Sequence, residues 1–359
     1  MGRLESCTEI IKTLFEYVYT GLQLATLYIF NLVNMIGGIK MFKYVLKRII
    51  AMIPKLLVIS LLLFGAMEML PGDPLTRAIP ISAYEEMSEY QKEEYREAMG
   101  LNDPWYVRYV SWLGGVLQGN FGYSQVTGAD IGKTLAGRLP YTIELSACAL
   151  VVAGILGIFL GFLAATMKNT IFDYGSTTIS VLGISFPDFF FGIMFLMIFA
   201  LKLKILPTGG RMPVGDSRLI ARIPYMIMPV MTQAIALLAT LTRYTRGAML
   251  DVLNKDYIKT ARSKGLREGV VKFKHGFRNA LTPVMTLLCM RIPMLVGGSV
   301  VIENTFNYPG IGTMTIDALN AGDIPTVMVT LMCSAILALF ASTLVDIVVA
   351  FFDPRVRLG

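Results

Sequence analysis

Few residues of this 359-residue chain suggest chemistry, and the surroundings of each limit what it can do. Gly128–Thr134 reads GADIGKT, the material of a loop that holds nucleotide phosphates on its backbone N–H groups. The spacing is wrong, because that motif needs four residues between its glycines and only Ala129, Asp130 and Ile131 separate Gly128 from Gly132. No nucleotide site is expected there, and hence no ATPase within this chain. His275 is the only histidine, which argues against a histidine-based metal centre or catalytic base. Of the four cysteines, Cys148, Cys289 and Cys333 sit in apolar runs, and with Cys7 they form no CxxC pair. Neither a zinc site nor a disulfide framework is signalled. An H-E-x-x-H motif is absent and no nucleophile–base pair is apparent, so a membrane-embedded enzyme is not expected.

What remains is charge in apolar company. Lys55, Asp188, Arg291 and Asp346 lie within apolar segments, with Glu68 and Glu144 near segment ends. An ionisable group in a bilayer is expensive, and is a functional candidate by default. Arg291 stands well inside its segment and is followed by Pro293, which frees a backbone carbonyl. Its guanidinium has two readings: it meets a substrate carboxylate in a wet path, or it pairs with a carboxylate on a neighbouring helix. Asp188, Arg291 and Glu303 are the candidate translocation-path residues. A proton-driven carrier needs several mid-span carboxylates, whereas Asp346 falls near one end, which counts against proton coupling.

The most informative stretch runs from Asp251 to Thr286. Asp256–Lys264 has helical propensity, with Ile258 and Ala261 on a small apolar face, and Gly265 supplies a stop. Helical character resumes at Leu266, and Pro283 is expected in the first turn of the next apolar segment, where its missing N–H costs little. A helix–glycine–helix elbow results. Small apolar residues flanked by cations suit insertion into a groove of another protein. The bland alternative, a basic loop on lipid headgroups, needs far fewer residues.

These groups must be positioned by elements the composition already restricts. Hydrophobic residues make up 55% of the chain and charged residues only 16%, where a soluble domain carries about 25% charged residues. Six apolar segments, roughly Ile49–Leu70, Thr142–Met167, Ile179–Leu201, Tyr225–Leu250, Leu281–Ile302 and Val327–Phe352, each match the ~20 residues a membrane helix needs. A less certain seventh covers Tyr17–Ile39. The formal charge of +7 follows from basic loops facing anionic lipid rather than from nucleic acid. Arg243–Arg278 is the most basic stretch and is expected in the cytosol. Counting outward from it puts Lys40–Arg48 inside, the 71–141 loop outside and the tail Asp353–Gly359 inside. The Lys202–Pro224 loop falls outside despite Lys202, Lys204, Arg211, Arg218 and Arg222, the one misfit. In the outer loop, Tyr84–Leu101 reads as a helix with Glu86, Glu89 and Glu93 on an acidic face, either solvated or a docking surface for an outer partner.

The elbow residues carry a resemblance. Asp256-Tyr257, Ala261, Lys264-Gly265-Leu266 and Arg278-Asn279-Ala280-Leu281 with Pro283 resemble the cytoplasmic loop of the permease subunits of peptide/nickel-type ABC importers. Further blocks are similar in order: Met41–Pro74, Asn120–Ser124 (NFGYS), Arg138-Leu139-Pro140 with Thr142, Ser185–Gly192 (SFPDFFFG), Glu303–Gly312 (ENTFNYPGIG) and Asp353-Pro354-Arg355. Two features depart from the pattern. The wider importer signature has E-A-A where this chain has Lys259-Thr260-Ala261, so that glutamate's role is not carried over. Residues 1–40 have no counterpart, and Met41 resembles the usual start.

The resemblance implies an all-α inner-membrane permease domain over 41–359, of the type I importer fold with six core membrane helices; the apolar residues within 1–40 are read apart from it, as an extra transmembrane or interfacial helix or as sequence ahead of a start at Met41. It implies a coupling loop at 251–280 with Asp256, Tyr257, Ala261, Lys264, Gly265, Leu266, Arg278, Asn279 and Pro283 as its contact residues. Implied partners are a second homologous permease, two ATPase subunits that hold ATP and Mg, and an extracytoplasmic substrate-binding protein; the chain itself binds no cofactor. Peptides are the expected cargo. Nickel is the alternative within the family, and an ATP-independent carrier is the alternative outside it.

Overall fold

The computed structural model describes residues 38–70, 72–213, 215 and 218–352. Apart from Gly38 and Ile39, the expected Tyr17–Ile39 helix lies outside the described residues, as do the rest of the 1–40 extension (bar Lys40) and the Asp353–Arg355 block. The chain divides into two compact units, Met1–Pro54 and Lys55–Gly359. The described part of the first is the opening of helix α1 (Gly38–Glu68). Every element among the described residues is helical.

Among the described residues, four helices are continuous and apolar enough to cross a membrane. They lie within α1, α6 (Ile131–Thr166), α9 (Leu219–Leu253) and α15 (Ile324–Phe352). The other two expected spans are interrupted. Over Ile179–Leu201 stand α7 (Ile171–Ser185) and α8 (Asp188–Phe195, continued by a π-helical stretch to Lys202), bent by 103°. Pro187 is the cause: it has no N–H to donate, and its ring drives Phe186 into extended backbone at φ −100°, ψ 145°. Over Leu281–Ile302 stand α12 (Arg278–Met290) and α13 (Ile292–Thr305), parted at Arg291, with Pro293 in the first turn of the second.

Helix α6 begins at Ile131 rather than Thr142. Asp130 caps it, accepting the Lys133 N–H at 3.0 Å, and Gly128 turns the chain at φ +68°. GADIGKT is therefore a helix start, with Lys133 reaching Asp130 at 3.6 Å. Between α1 and α6 the described residues hold four shorter helices: α2 (Leu75–Ala78), α3 (Ile81–Glu86), α4 (Glu89–Ala98) and α5 (Trp105–Leu117). The single helix expected over Tyr84–Leu101 is split at Met87-Ser88. Ser88 starts a new one through a reciprocal capping box with Gln91.

Asp73 organises this region. It accepts from the Arg96 guanidinium, from the Leu75 N–H at 3.0 Å and from the Tyr84 hydroxyl at 3.1 Å. The Arg96 hydrogen bond, against an opposing effect of burial, lowers the Asp73 carboxyl from 3.8 to about 2. A carboxyl depressed by folding contributes stability above its unfolded pKa, and that contribution fades as pH falls toward the folded value. Protection of the 73–100 region from limited proteolysis is therefore expected to drop between about pH 4 and pH 2, by roughly 1–2 kcal/mol. The Asp73→Asn chain should be weaker at pH 7 and lack that decline; identical profiles for both chains would discard the assignment.

Contacts far apart in the chain sort into two ends. At one, Glu144 of α6 receives Arg211 at 2.5 Å and Arg222 at 4.0 Å. There too Asp323, at the head of α15, accepts from the Ser124 hydroxyl at 2.5 Å and the Thr326 hydroxyl at 2.7 Å. At the other, Asp173 of α7 receives Arg246 of α9 through two hydrogen bonds, 2.5 and 2.8 Å. Glu144 thus offsets two arginines of the basic Lys202–Pro224 stretch. Between the ends, α6 and α9 pack through Ala149, Ala153, Ala234, Leu237 and Leu241, joined by Val284 of α12.

Candidate functional site

The elbow forms where α9 runs out. Helix α10 (Asp256–Ser263) follows a short turn, and Gly265 closes it at φ +76°, a conformation L side chains rarely adopt. The Gly265 N–H donates to Arg262 O at 2.9 Å, tying up a carbonyl at the helix end. Arg262 then reaches across the turn to Glu268 at 2.7 Å and holds that carboxyl below its ordinary range. The return arm is one long helical run: α11 (Glu268–Val270), a π-helical stretch Val271–Phe277, then α12. Pro283 accordingly sits inside a helix, and not in a first turn, because the helix had already started at Glu268.

This elbow is braced. Ile258 and Ala261 are buried against Val271 of the return arm. Phe273 and Phe277 pack edge-on to Phe162 of α6, with ring centroids 5.9 and 5.2 Å away. Gly276 is a close-approach point for Met249 and Leu253 of α9. The small apolar face expected to seek a partner is thus consumed within the chain, since two short arms need a core of their own to stay together. The outward surface is instead Asp256, Tyr257 (44% exposed), Lys264 and Leu266 (40% exposed), with Lys259, Thr260 and Arg267 beside them. Arg278, Asn279 and Pro283 are exposed on the return arm, where the Asn279 side chain donates to His275 O at 2.8 Å.

The three path candidates separate. Asp188 is the first residue of α8, directly after the bend, and is half-buried. Arg291 occupies the break between α12 and α13. Glu303 differs from both: it is fully buried, and its Oε2 accepts the Gly312 N–H at 2.6 Å and the Thr313 N–H at 3.4 Å. It caps α14 (Ile311–Ala321), whose first N–H, from Ile311, goes to Thr142 Oγ1 at 2.9 Å. Gly310 and Gly312 leave the room this carboxylate occupies. The blocks around Thr142 and Glu303 therefore meet in a structural joint.

Reasoning from sequence missed three features. Gly157 and Gly161 let α6 approach the backbone of α9, and their G-x-x-x-G spacing was the available signal. The Asp173–Arg246 pair and the Asp323 clamp left no signal, because their partners are 73 and 199 residues apart.

Residues 157–358 match the family model described as binding-protein-dependent transport system inner membrane component, and residues 41–146 match the corresponding N-terminal model. The chain is 40% identical over 316 residues to the oligopeptide transport system permease protein AppB of Bacillus subtilis (strain 168), covering 88% of this chain and 99% of the relative. It is 35% identical over 317 residues to the glutathione transport system permease protein GsiC of Escherichia coli (strain K12), again covering 88% and 99%. Among solved structures, the crystal structure of an amino acid ABC transporter with histidines aligns at TM-score 0.45 and 12% identity, over 60% of this chain and 93% of that one.

Proposed function

The chain belongs to the binding-protein-dependent transport system inner membrane component family, and from that premise we propose that it moves peptides and takes its work stroke through the Asp256–Leu266 elbow. It is a multi-pass permease subunit of an ABC importer, not an enzyme. Systems of this family imply an outer binding protein and ATPase partners. In the fuller assembly proposed here, one homologous permease stands beside this chain and two ATPase subunits lie beneath, holding ATP and Mg.

The observation that carries this proposal is the bracing of the elbow. A loop that only satisfied topology would not need Ile258, Ala261 and Val271 as a private core, nor a stack of phenylalanines against α6. A braced loop transmits force: displacing Tyr257 or Leu266 moves α10, the return arm and the ends of α6 and α9 together. Arg278, Asn279 and Pro283 extend the contact along the return arm. Peptide cargo is supported by the names of the relatives. Asp188 and Arg291, at the two interrupted membrane segments, are the proposed path residues. Glu303 holds the outer end of that path in shape through α14.

The test is reconstitution in vesicles with the companion permease, the ATPases and the binding protein. Uptake of radiolabelled trialanine is expected only with ATP and the binding protein both present. Uptake by vesicles holding this chain alone, without ATP, would establish a secondary carrier instead. Uptake of free Ni²⁺ without any peptide would replace the cargo.

A further inference from the structure

The two interrupted membrane segments break at similar depth, and each carries one ionisable residue at the break. The depth of the first follows from its neighbours on α9. A Cβ placed on Gly183, before the bend, would lie 3.2 Å from Ala239, and one on Gly192, after it, 3.3 Å from Thr232. Both neighbours fall in the middle of the 35-residue α9, so the Phe186–Asp188 bend sits near mid-membrane. For the second, Leu288 lies against Gly154 of α6 within the cluster that includes Leu237 and Leu241, and Arg291 follows one turn later. Interrupted membrane helices are tolerated where backbone lines a wet cavity or is covered by protein.

Asp188 has, among the described residues, no hydrogen-bond or ion-pair partner. A half-buried carboxylate at this depth is costly unless a cation arrives. Phe186, Phe189 and Phe190 lie within two residues of it in the chain and are exposed, at 43–45%, the rings of Phe186 and Phe190 stacking on each other with centroids 5.0 Å apart. Exposed aromatic rings close in the chain to a carboxylate favour an organic ammonium, which gains charge pairing and cation–π contact together.

We propose that Asp188 receives the protonated amino terminus of the peptide during passage, with Phe186, Phe189 and Phe190 as the walls that hold it. This rests on the peptide cargo proposed above. The arrangement suits a substrate that carries one positive end, and it assigns the bend a purpose: it turns the carboxylate out of helix packing and into the path.

The full reconstituted complex provides the test, with trialanine and its des-amino analogue, propionyl-Ala-Ala, as probes. Asp188→Asn is expected to lower trialanine uptake about tenfold or more while the companion permease and ATPases still co-purify. Analogue uptake should change by less than about twofold, since it has no charge for Asp188 to meet. Asp188→Cys should be equally impaired, then be restored by a sulfonate-bearing thiol reagent and not by an ammonium-bearing one. Equal loss for both probes, rescue by neither reagent, or loss of the companion permease from the complex would each overturn the proposal. Unchanged trialanine uptake in Asp188→Asn would do the same. Failure of the unmodified complex to take up trialanine marks a different fault, namely that the cargo is not a peptide.

Discussion

Gly265→Pro is expected to leave the membrane helices folded and to reduce ATP-dependent uptake to background. Proline holds φ near −65°, whereas this position stands at φ +76°, so the elbow cannot keep its course. The substitution also deletes the N–H that donates to Arg262 O. Leu266 onward would leave in another direction, the Arg262–Glu268 bridge would open, and Val271 would be drawn off Ile258 and Ala261. Companion substitutions separate conformation from bulk, because nothing lies within 4 Å of a Cβ built on Gly265. Asn tolerates the left-handed region, so Gly265→Asn should retain uptake within about threefold of the original chain. Gly265→Ala should fall between, at a conformational cost of about 1 kcal/mol. The decisive readouts are uptake and binding-protein-stimulated ATPase activity in the same vesicles. Full uptake by Gly265→Pro would remove the elbow from the transport cycle.

A large effect on the fold itself is expected at Gly161. A Cβ there would stand 2.5 Å from the Thr242 carbonyl oxygen and 2.6 Å from Thr245 Cβ, and 3.2 Å from the Arg246 backbone nitrogen. Two of these three atoms are backbone, so no rotamer change can make room. Only separation of α6 from α9 would, and that separation would also pull at Arg246, the partner of buried Asp173. Overpacking of this kind costs typically 1–3 kcal/mol and more where backbone is struck. Gly161→Ala should therefore lower the unfolding temperature and yield in detergent, and Gly161→Leu should give no folded protein. Gly154→Ala is the contrast: its Cβ meets only Leu288 methyls at 3.5 and 3.6 Å, an ordinary contact, and its unfolding temperature should barely change. Equal behaviour of Gly154→Ala and Gly161→Ala would show that helix approach is not the limiting contact.

Several elements were legible because their cause is local. Runs of apolar residues demand helices in lipid whatever surrounds them, and the segments at Tyr225–Leu250 and Val327–Phe352 lie within unbroken α9 and α15. The stop at Gly265 was legible for the same reason, since a glycine after a short helical run is a chain-local signal. Pro187 was visible too, yet the hydropathy of Ile179–Leu201 is indifferent to it. The 103° bend requires α9 to supply Ala239 on one side and Thr232 on the other. Ala261 was placed on a partner-seeking face because its burying neighbour, Val271, belongs to the other arm of the elbow. Glu303 is a path candidate in the sequence, and only the position of α14 turns that carboxylate into a cap.

By itself, then, the order of residues determined that this is a helical membrane chain, and it predicts a cytosolic side for the basic elbow. Those properties add up residue by residue against lipid and water. The tertiary structure decided which charges are offset and which are not: Glu144 with Arg211, Asp173 with Arg246, and Asp188, among the described residues, with no partner. Pairs 67 and 73 residues apart form only when helices fix their distance to a few ångströms, and no count along the chain carries that distance.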